Sequence, residues 1–311
     1  MSAPRFSIII PTYQRTGQLR ASLSALSALH FPREDFEVIV VSDGDDGTLD
    51  ADLSKSQPPL ALSLLRVPHR GPAAARNAGA AQARGRYLVF TDDDCLPAAD
   101  WLQAIDARIT PERAVGGVSV NALPHNIYAA TTGVLLRYLF AYYNHEPAQA
   151  RFLSTNNLAV PAARFHTVGG FADAFTHAAG EDREFCARWR EQGFALTFAP
   201  EIVVFHAHAL NPASFWQQHF HYGRGAYHFR RMRARRRGSR LQFEPWRFYG
   251  RLLRAPFDDE HGTRALSIAG LLLVAQCANA AGLALEYARD RAPAAPRRLN
   301  DEGKTLTPGS Q

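Results

Sequence analysis

Cysteine is scarce in this sequence: Cys95, Cys186 and Cys277 are the only three among 311 residues. They are widely spaced and odd in number. They make neither a disulfide framework nor a zinc-ligand spacing, so a reducing compartment is expected. Glycine-rich phosphate loops are missing too. The first apolar run, Phe6 to Ile10, ends in Pro11-Thr12-Tyr13, with no Gly-x-Gly-x-x-Gly or Gly-Lys-Ser/Thr pattern behind it. That argues against a nicotinamide dehydrogenase or a P-loop nucleotidase. No charged-then-apolar leader precedes the run, so no signal peptide is expected. There is no internal repeat.

What is present suits a substantial core. With 46% hydrophobic residues, the chain can fill one large α/β domain or two fused halves. The formal net charge of +6 is local, because residues 230–240 carry seven arginines. Phe6 to Ile10 reads as a buried parallel strand, followed by a helix over Leu19 to Leu29 and strands at Phe36 to Val41 and Leu62 to Val67. Ala73 to Ala83 reads as a helix and Tyr87 to Phe90 as a fourth strand. This alternation predicts a parallel sheet with helices on both faces. Farther on, Glu184 to Gln192 reads as a helix ended by Gly193, with short strands at Phe194 to Phe198 and Ile202 to Phe205. Open sheets of this class bind ligands beyond the carboxyl ends of their strands. Pro11-Thr12-Tyr13, Asp43 and the acidic triplet Asp92-Asp93-Asp94 all fall at such ends.

Adjacent carboxylates repel unless something positive lies among them. A hard divalent cation, Mg²⁺ or Mn²⁺, takes oxygen ligands and shares them with phosphates. If strand geometry continues past Phe90, Asp92 and Asp94 share a face and Asp93 opposes them. A solvated turn capping a helix before Leu96-Pro97 accounts for such a triplet equally. Asp43 reads either as a ribose or base acceptor or as an ordinary turn residue. Arg76, in the helix opened by Gly71-Pro72, offers a planar fork to a phosphate or to the triplet, or is one exposed arginine of an alanine-rich helix. In Gly180-Glu181-Asp182 the carboxylates suit a helix N-terminus, where the dipole favours anions; the sharper reading makes Asp182 a general base. Strand alternation places His206 and His208 on one face, beside the presumed metal.

Taken in order, these stretches resemble glycosyltransferase family 2, the inverting enzymes of GT-A fold. The matches are Phe6 to Arg15, Val40 to Thr48, Ala75 to Gly79, Phe90 to Asp94, Val168 to Phe171, Gly180 to Asp182 and His206 to His208. They span about residues 5–210. The resemblance implies an α/β fold, a GT-A type mostly parallel sheet flanked by helices with a C-terminal helical extension. It implies a nucleotide-diphosphate sugar donor and a glycan or lipid-linked acceptor. Pro11, Thr12, Tyr13, Arg15, Asp43, Arg76, Asp92 and Asp93 would bind the nucleotide sugar. Asp92, Asp94 and His206 would hold Mg²⁺ or Mn²⁺. Asp182 would be the catalytic base, with Asn156, Asn157 and Glu181 on the acceptor side. Ser42 departs from the family pattern, where a second aspartate often precedes Asp43, and the triplet leaves the register of the metal motif open. A nucleotidyltransferase acting on a sugar phosphate is the alternative, and a nucleic-acid module built on residues 230–240 is a third reading.

The expected domain division is 1–210 for the transferase domain, with a nucleotide-sugar half at 5–115 and an acceptor half at 116–210. A basic helical extension follows at 211–257, then an apolar helix at 258–288 and a disordered tail at 289–311. Residues 265–285 carry no charge but include Gln276 and Asn279, and arginines flank both ends. An in-plane or packed helix is therefore preferred to a clean span. Attachment to the cytoplasmic leaflet, aided by arginines drawn to anionic lipid, is expected, and nucleic acid is not an expected partner.

Overall fold

The computed structural model describes residues 3–44, 49, 60–175, 177 and 179–291. Its centre is one eight-stranded sheet in the order β3-β2-β1-β4-β7-β6-β8-β5. The first four strands in chain order are β1 (Phe6–Thr12), β2 (Phe36–Asp43), β3 (Leu62–Val67) and β4 (Tyr87–Phe90). β1 pairs in parallel with both β2 and β4, and β2 with β3. The apolar runs of β1, β2 and β4 are buried on both faces, which is why they read as continuous rather than alternating. Helices α1 (Thr16–Ser27) and α2 (Pro72–Gln82) cover opposite faces: Leu19, Leu23 and Leu26 join one core, and Ala73, Ala75 and Ala80 the other.

The second half turns the sheet mixed. β5 (Cys95–Pro97), α3 (Trp101–Asp106), β6 (Arg113–Asn121), α4 (Ile127–Tyr143), β7 (Leu158–Pro161), α5 (Ala162–Val168), α6 (Glu181–Glu191) and β8 (Ala195–His206) follow in order. β7 is antiparallel to β4 and β6, while β6 and β8 are parallel. Two short strands predicted at Phe194 to Phe198 and Ile202 to Phe205 are one strand. Ala199-Pro200 interrupts the sequence pattern, and the ladder skips there between Gly116 and Val118, so a bulge carries the proline. Helix α6 starts three residues before the predicted Glu184, directly after Gly180 in the left-handed region.

Three further helices pack behind: α7 (Pro212–Arg237), α8 (Trp246–Arg254) and α9 (Gly262–Arg291). α7 and α9 touch backbone to backbone. A Cβ on Gly223 would stand 1.9 Å from the Asn279 carbonyl oxygen, and one on Gly282 2.0 Å from that of Phe220. Polar pairs lock the far end, where Arg224 binds Glu286 at 2.6 Å and Tyr227 donates to Asp290 at 2.8 Å. α9 is long and apolar enough to cross a membrane, with 28% of its most apolar window buried. Of the turn-rich stretch Ser42 to Thr48, residues 45–48 lie outside the described residues, as does the tail from residue 292; residues 289–291 are helical.

Gly223→Ala is expected to cost about 2 kcal/mol, because the added methyl meets backbone rather than a movable side chain. Gly250→Ala, with open space around it in α8, should be neutral or slightly stabilising. Urea denaturation of the two variants checks this.

Candidate active site

The carboxyl ends of β1, β2 and β4 open into one cavity of about 660 Å³, a size that fits a small ligand. Ten of the predicted site residues line it: Pro11, Thr12, Tyr13, Arg15, Asp43, Arg76, Asp92, Asp93, Asp94 and His206. β4 ends at Phe90, so the triplet lies in a turn and not on a continued strand. The expected two-against-one facing is therefore not what forms; each carboxylate takes its own partner. Asp92 accepts from Arg76 at 2.6 Å. Asp93 accepts from Thr12 at 2.7 Å and lies 3.4 Å from Arg15. Asp94 lies 3.1 Å from His206 Nε2 and 2.8 Å from His208 Nδ1, one imidazole on each carboxylate oxygen.

These partners split the ionisation of neighbouring acids. Burial and the charge of Asp94 push Asp93 up to about 6, against the opposing pull of Thr12 and Arg15. Burial acts on Asp94 as well, but hydrogen bonds to His206 and His208 prevail and hold it far below the usual carboxylate range. Burial works against charge on His206, yet the bond to Asp94 raises it above the ordinary histidine value.

A metal here would rest on Asp94 with His206. Asp94, Cys95 and His206 offer ligand atoms within 4.8 Å of one another. Without a cation, burial and the charges of Asp92 and Asp94 raise the Cys95 thiol well above its usual range. Carboxylate plus imidazole suits Mn²⁺, and the purely oxygen-preferring Mg²⁺ less well, so the donor set fits a divalent transition metal.

Another side of the cavity is built from the ends of β1 and β2. Tyr13 stacks on His69 with ring centroids 4.4 Å apart. Gln14, beside it, is the described non-glycine residue with positive φ, at 54°, which turns Tyr13 and Arg15 into the cavity mouth. Asp43 accepts from the backbone N–H of Arg70 at 2.8 Å and Gly71 at 2.9 Å. It thus fixes the entry to α2, lies 3.0 Å from His69 Nδ1 and lines the cavity.

Arg76 is not the exposed arginine of a structural helix. It is 2% exposed and bridges Asp92 to Glu181, the latter at 3.0 Å. Its Nε and the Glu181 Oε2 are buried without a partner. Asp182 follows Glu181 on α6 but is not among the cavity-lining residues, nor is Glu181. Asp182 Oδ1 accepts from the Arg183 N–H at 2.7 Å. The helix dipole lowers carboxylate basicity, but burial and the adjacent Glu181 outweigh it and push Asp182 up to about 7. Asn156 and Asn157, expected on the acceptor side, are buried away from the lining. Asn157 accepts from Trp101 Nε1 at 2.9 Å and donates to the carbonyls of Val118 and Ile202, so it clips α3 to the sheet. Asn156 donates to Ser119.

The remaining wall comes from residues outside the predicted set. α7 contributes Ser214, Gln217, Gln218, His221 and Tyr222, spaced three and four apart on one helical side. The aromatic and histidine-rich run from Phe215 to Phe229 was the available signal. His221 stacks on His177 at 4.2 Å, and burial holds both below the usual histidine range. Tyr222, bonded by Gln218, feels the charges of Asp182, Glu181 and Asp92. A Cβ on Gly225 would stand 1.9 Å from the Ala179 carbonyl oxygen, so α7 fits tightly on the backbone that launches α6.

A mostly parallel sheet flanked by helices, with an acidic, histidine-flanked turn at the carboxyl ends of its strands, is an arrangement of the GT-A type. Residues 7–152 match Glycosyl transferase family 2. The chain is 30% identical over 212 residues to Glycosyltransferase AglE of Haloferax volcanii, covering 65% of this chain and 67% of that protein. It is 28% identical over 233 residues to Validoxylamine A glucosyltransferase of Streptomyces hygroscopicus subsp. jinggangensis, covering 64% and 54%; it thus spans about half the length of that relative. Among solved structures, a mannosyltransferase from Pyrobaculum calidifontis in complex with GDP-Man and Mn²⁺ superposes with a TM-score of 0.59 at 20% identity, covering 94% of this chain and 81% of that one. S. aureus TarS 1-349 gives 0.51 at 16% identity, covering 96% and 94%. The chain belongs to glycosyl transferase family 2, a family of glycosyltransferases.

Arg76→Ala should lower stability by about 3 kcal/mol, because it leaves two buried or half-buried carboxylates uncompensated. Arg76→Lys, a point charge in place of a fork, should recover only part of that loss. Urea midpoints within error of wild type for both would remove Arg76 from the centre of the site.

Proposed function

We propose that the protein moves a sugar from a nucleotide-diphosphate donor to a hydroxyl of a glycan or lipid-linked acceptor, with inversion at the anomeric carbon. The observation that carries this is the Asp92–Arg76–Glu181 bridge, which ties the acidic turn to the residue preceding Asp182. Family membership supports the same reading and leaves a nucleotidyltransferase without support. The nucleoside would lie against Tyr13 and Asp43, with Arg15 and Arg76 beside the diphosphate. Asp92, Asp94 and His206 would hold the divalent cation; Mn²⁺ accompanies GDP-Man in the Pyrobaculum neighbour. When bound, the cation offsets charge on the leaving diphosphate.

In the proposed step the acceptor oxygen bonds the anomeric carbon as that carbon's bond to the phosphate oxygen breaks. The acceptor proton passes to Asp182, and the nucleoside diphosphate leaves with the electron pair. A carboxylate that titrates about 7 is matched to this role, since it is basic enough to accept a proton and ionised at neutral pH. Tyr222 lines the cavity, feels the charge of Asp182 and would flank the acceptor. We place the protein in the cytoplasm, peripheral to the inner face of the membrane. Cys95 and Cys186, buried free thiols, suit a reducing compartment.

Asp182→Asn should leave nucleotide affinity near wild type and lower turnover by about 10² to 10⁴. Wild-type turnover should rise with pH through an inflection near 7 and level off above it, because the ionised carboxylate is the active form; the Asn variant should lose that inflection. Near-wild-type turnover in Asp182→Asn would refute the base assignment. Separately, Asp94→Ala should weaken Mn²⁺-dependent UDP or GDP binding about tenfold or more. Calorimetry showing unchanged affinity would count against the metal site.

A further inference from the structure

The face of the C-terminal helices turned away from the cavity carries an organised surface. Phe243, Trp246 and Phe257 are 56%, 77% and 45% exposed. Arg247, Arg251 and Arg254 are exposed between them. These positions recur at helical spacing along one side of α8 and its flanks. The opposite side, through Phe248 and Leu252, packs on Ile268 and Leu272 of α9. Acids are nearly absent from the outward side. α8 has none, Glu244 is spent on Arg183 and Arg230, Asp259 pairs with Arg137, and exposed Asp258 stands at the edge. Nearby, α9 exposes Leu266 and Leu273 at 63% and 55% within the uncharged stretch 265–285.

Large aromatics set among arginines, beside exposed aliphatic surface, match the headgroup layer of an anionic bilayer. We propose that this face of α8 seats the protein on an anionic lipid surface. Its rings enter the headgroup layer and Arg247, Arg251 and Arg254 meet lipid phosphates. The proposal deepens the membrane attachment proposed above and rests on it, but relocates the contact. Four arginines of the 230–240 cluster are paired with acids of this chain: Arg230 with Glu244, Arg231 with Asp290, Arg236 with Glu184 and Arg237 with Glu191. A nucleic acid would use the rings and arginines but leave the uncharged side of α9 without a partner.

Full-length protein is floated with phosphatidylglycerol–phosphatidylcholine vesicles and with pure phosphatidylcholine vesicles. Wild type should float with the anionic vesicles and at least tenfold less with neutral ones. Arg247→Glu/Arg251→Glu and Trp246→Ser should each lose tenfold or more at unchanged melting temperature, while Arg235→Glu/Arg240→Glu floats like wild type. Flotation of the α8 variants at wild-type level overturns the surface and leaves attachment standing. Failure of wild type to float overturns both. Light scattering that shows a dimer broken by Leu273→Glu, without vesicle binding, assigns the face to a second copy and overturns the proposal. So does single-stranded oligonucleotide binding abolished by the α8 charge reversal while flotation persists.

Discussion

A guanidinium sealed inside protein must be answered by negative charge, and Arg76 is answered twice. Asp92 comes from the turn after β4 and Glu181 from the start of α6. One side chain on α2 thereby fixes the distance between the edge of the parallel sheet and the helix that carries Asp182. Burial works against the charge of Arg76, and Asp92, Glu181 and, more weakly, Asp182 outweigh it. The same charges have a second effect. Burial is the main cause that makes ionisation of Asp182 harder, and Glu181, held next to Arg76, adds to it. Structural pairing and chemical tuning are here one arrangement.

The cavity roof depends on a different set of contacts. α7 is gripped from both sides: Gly223 meets α9 and Gly225 meets Ala179, directly before α6. Farther along, Arg236 reaches the fully buried Glu184, which also accepts from Arg188. Much of the arginine cluster that gives the chain its positive charge is thus internal wiring between α7 and its neighbours. Its density in sequence suggests an external partner because, Glu244 apart, the acids that answer it lie about 45 to 60 residues away.

Much of the fold was legible because buried parallel strands write themselves as unbroken apolar runs. Leu62–Val67 and Tyr87–Phe90 were read to the residue. The bulge at Ala199-Pro200 was not, since proline locally imitates a strand end. Within the site, residue types and strand-end positions pointed to Thr12, Tyr13, Asp43 and the triplet. They did not show which partner each aspartate would take, because Arg76, His206 and His208 approach from remote parts of the chain. Asn156 and Asn157 looked functional as a polar pair in a loop, yet the buried carbonyls of Val118 and Ile202 need donors, and Asn157 supplies them. Residues from α7 were missed because a helix face lining a pocket has the same three-and-four spacing as one buried in a core.

The backbone contact between α7 and α9 bears on how the C-terminal region can be handled. An apolar terminal helix invites removal when a protein is to be kept in solution. Here Gln218, His221 and Tyr222 hang over the cleft from a beam whose outer side rests on that helix. Trimming the chain before Gly262 would strip the support and leave the catalytic ceiling unmoored, so solubility gained that way comes at the expense of the chamber itself.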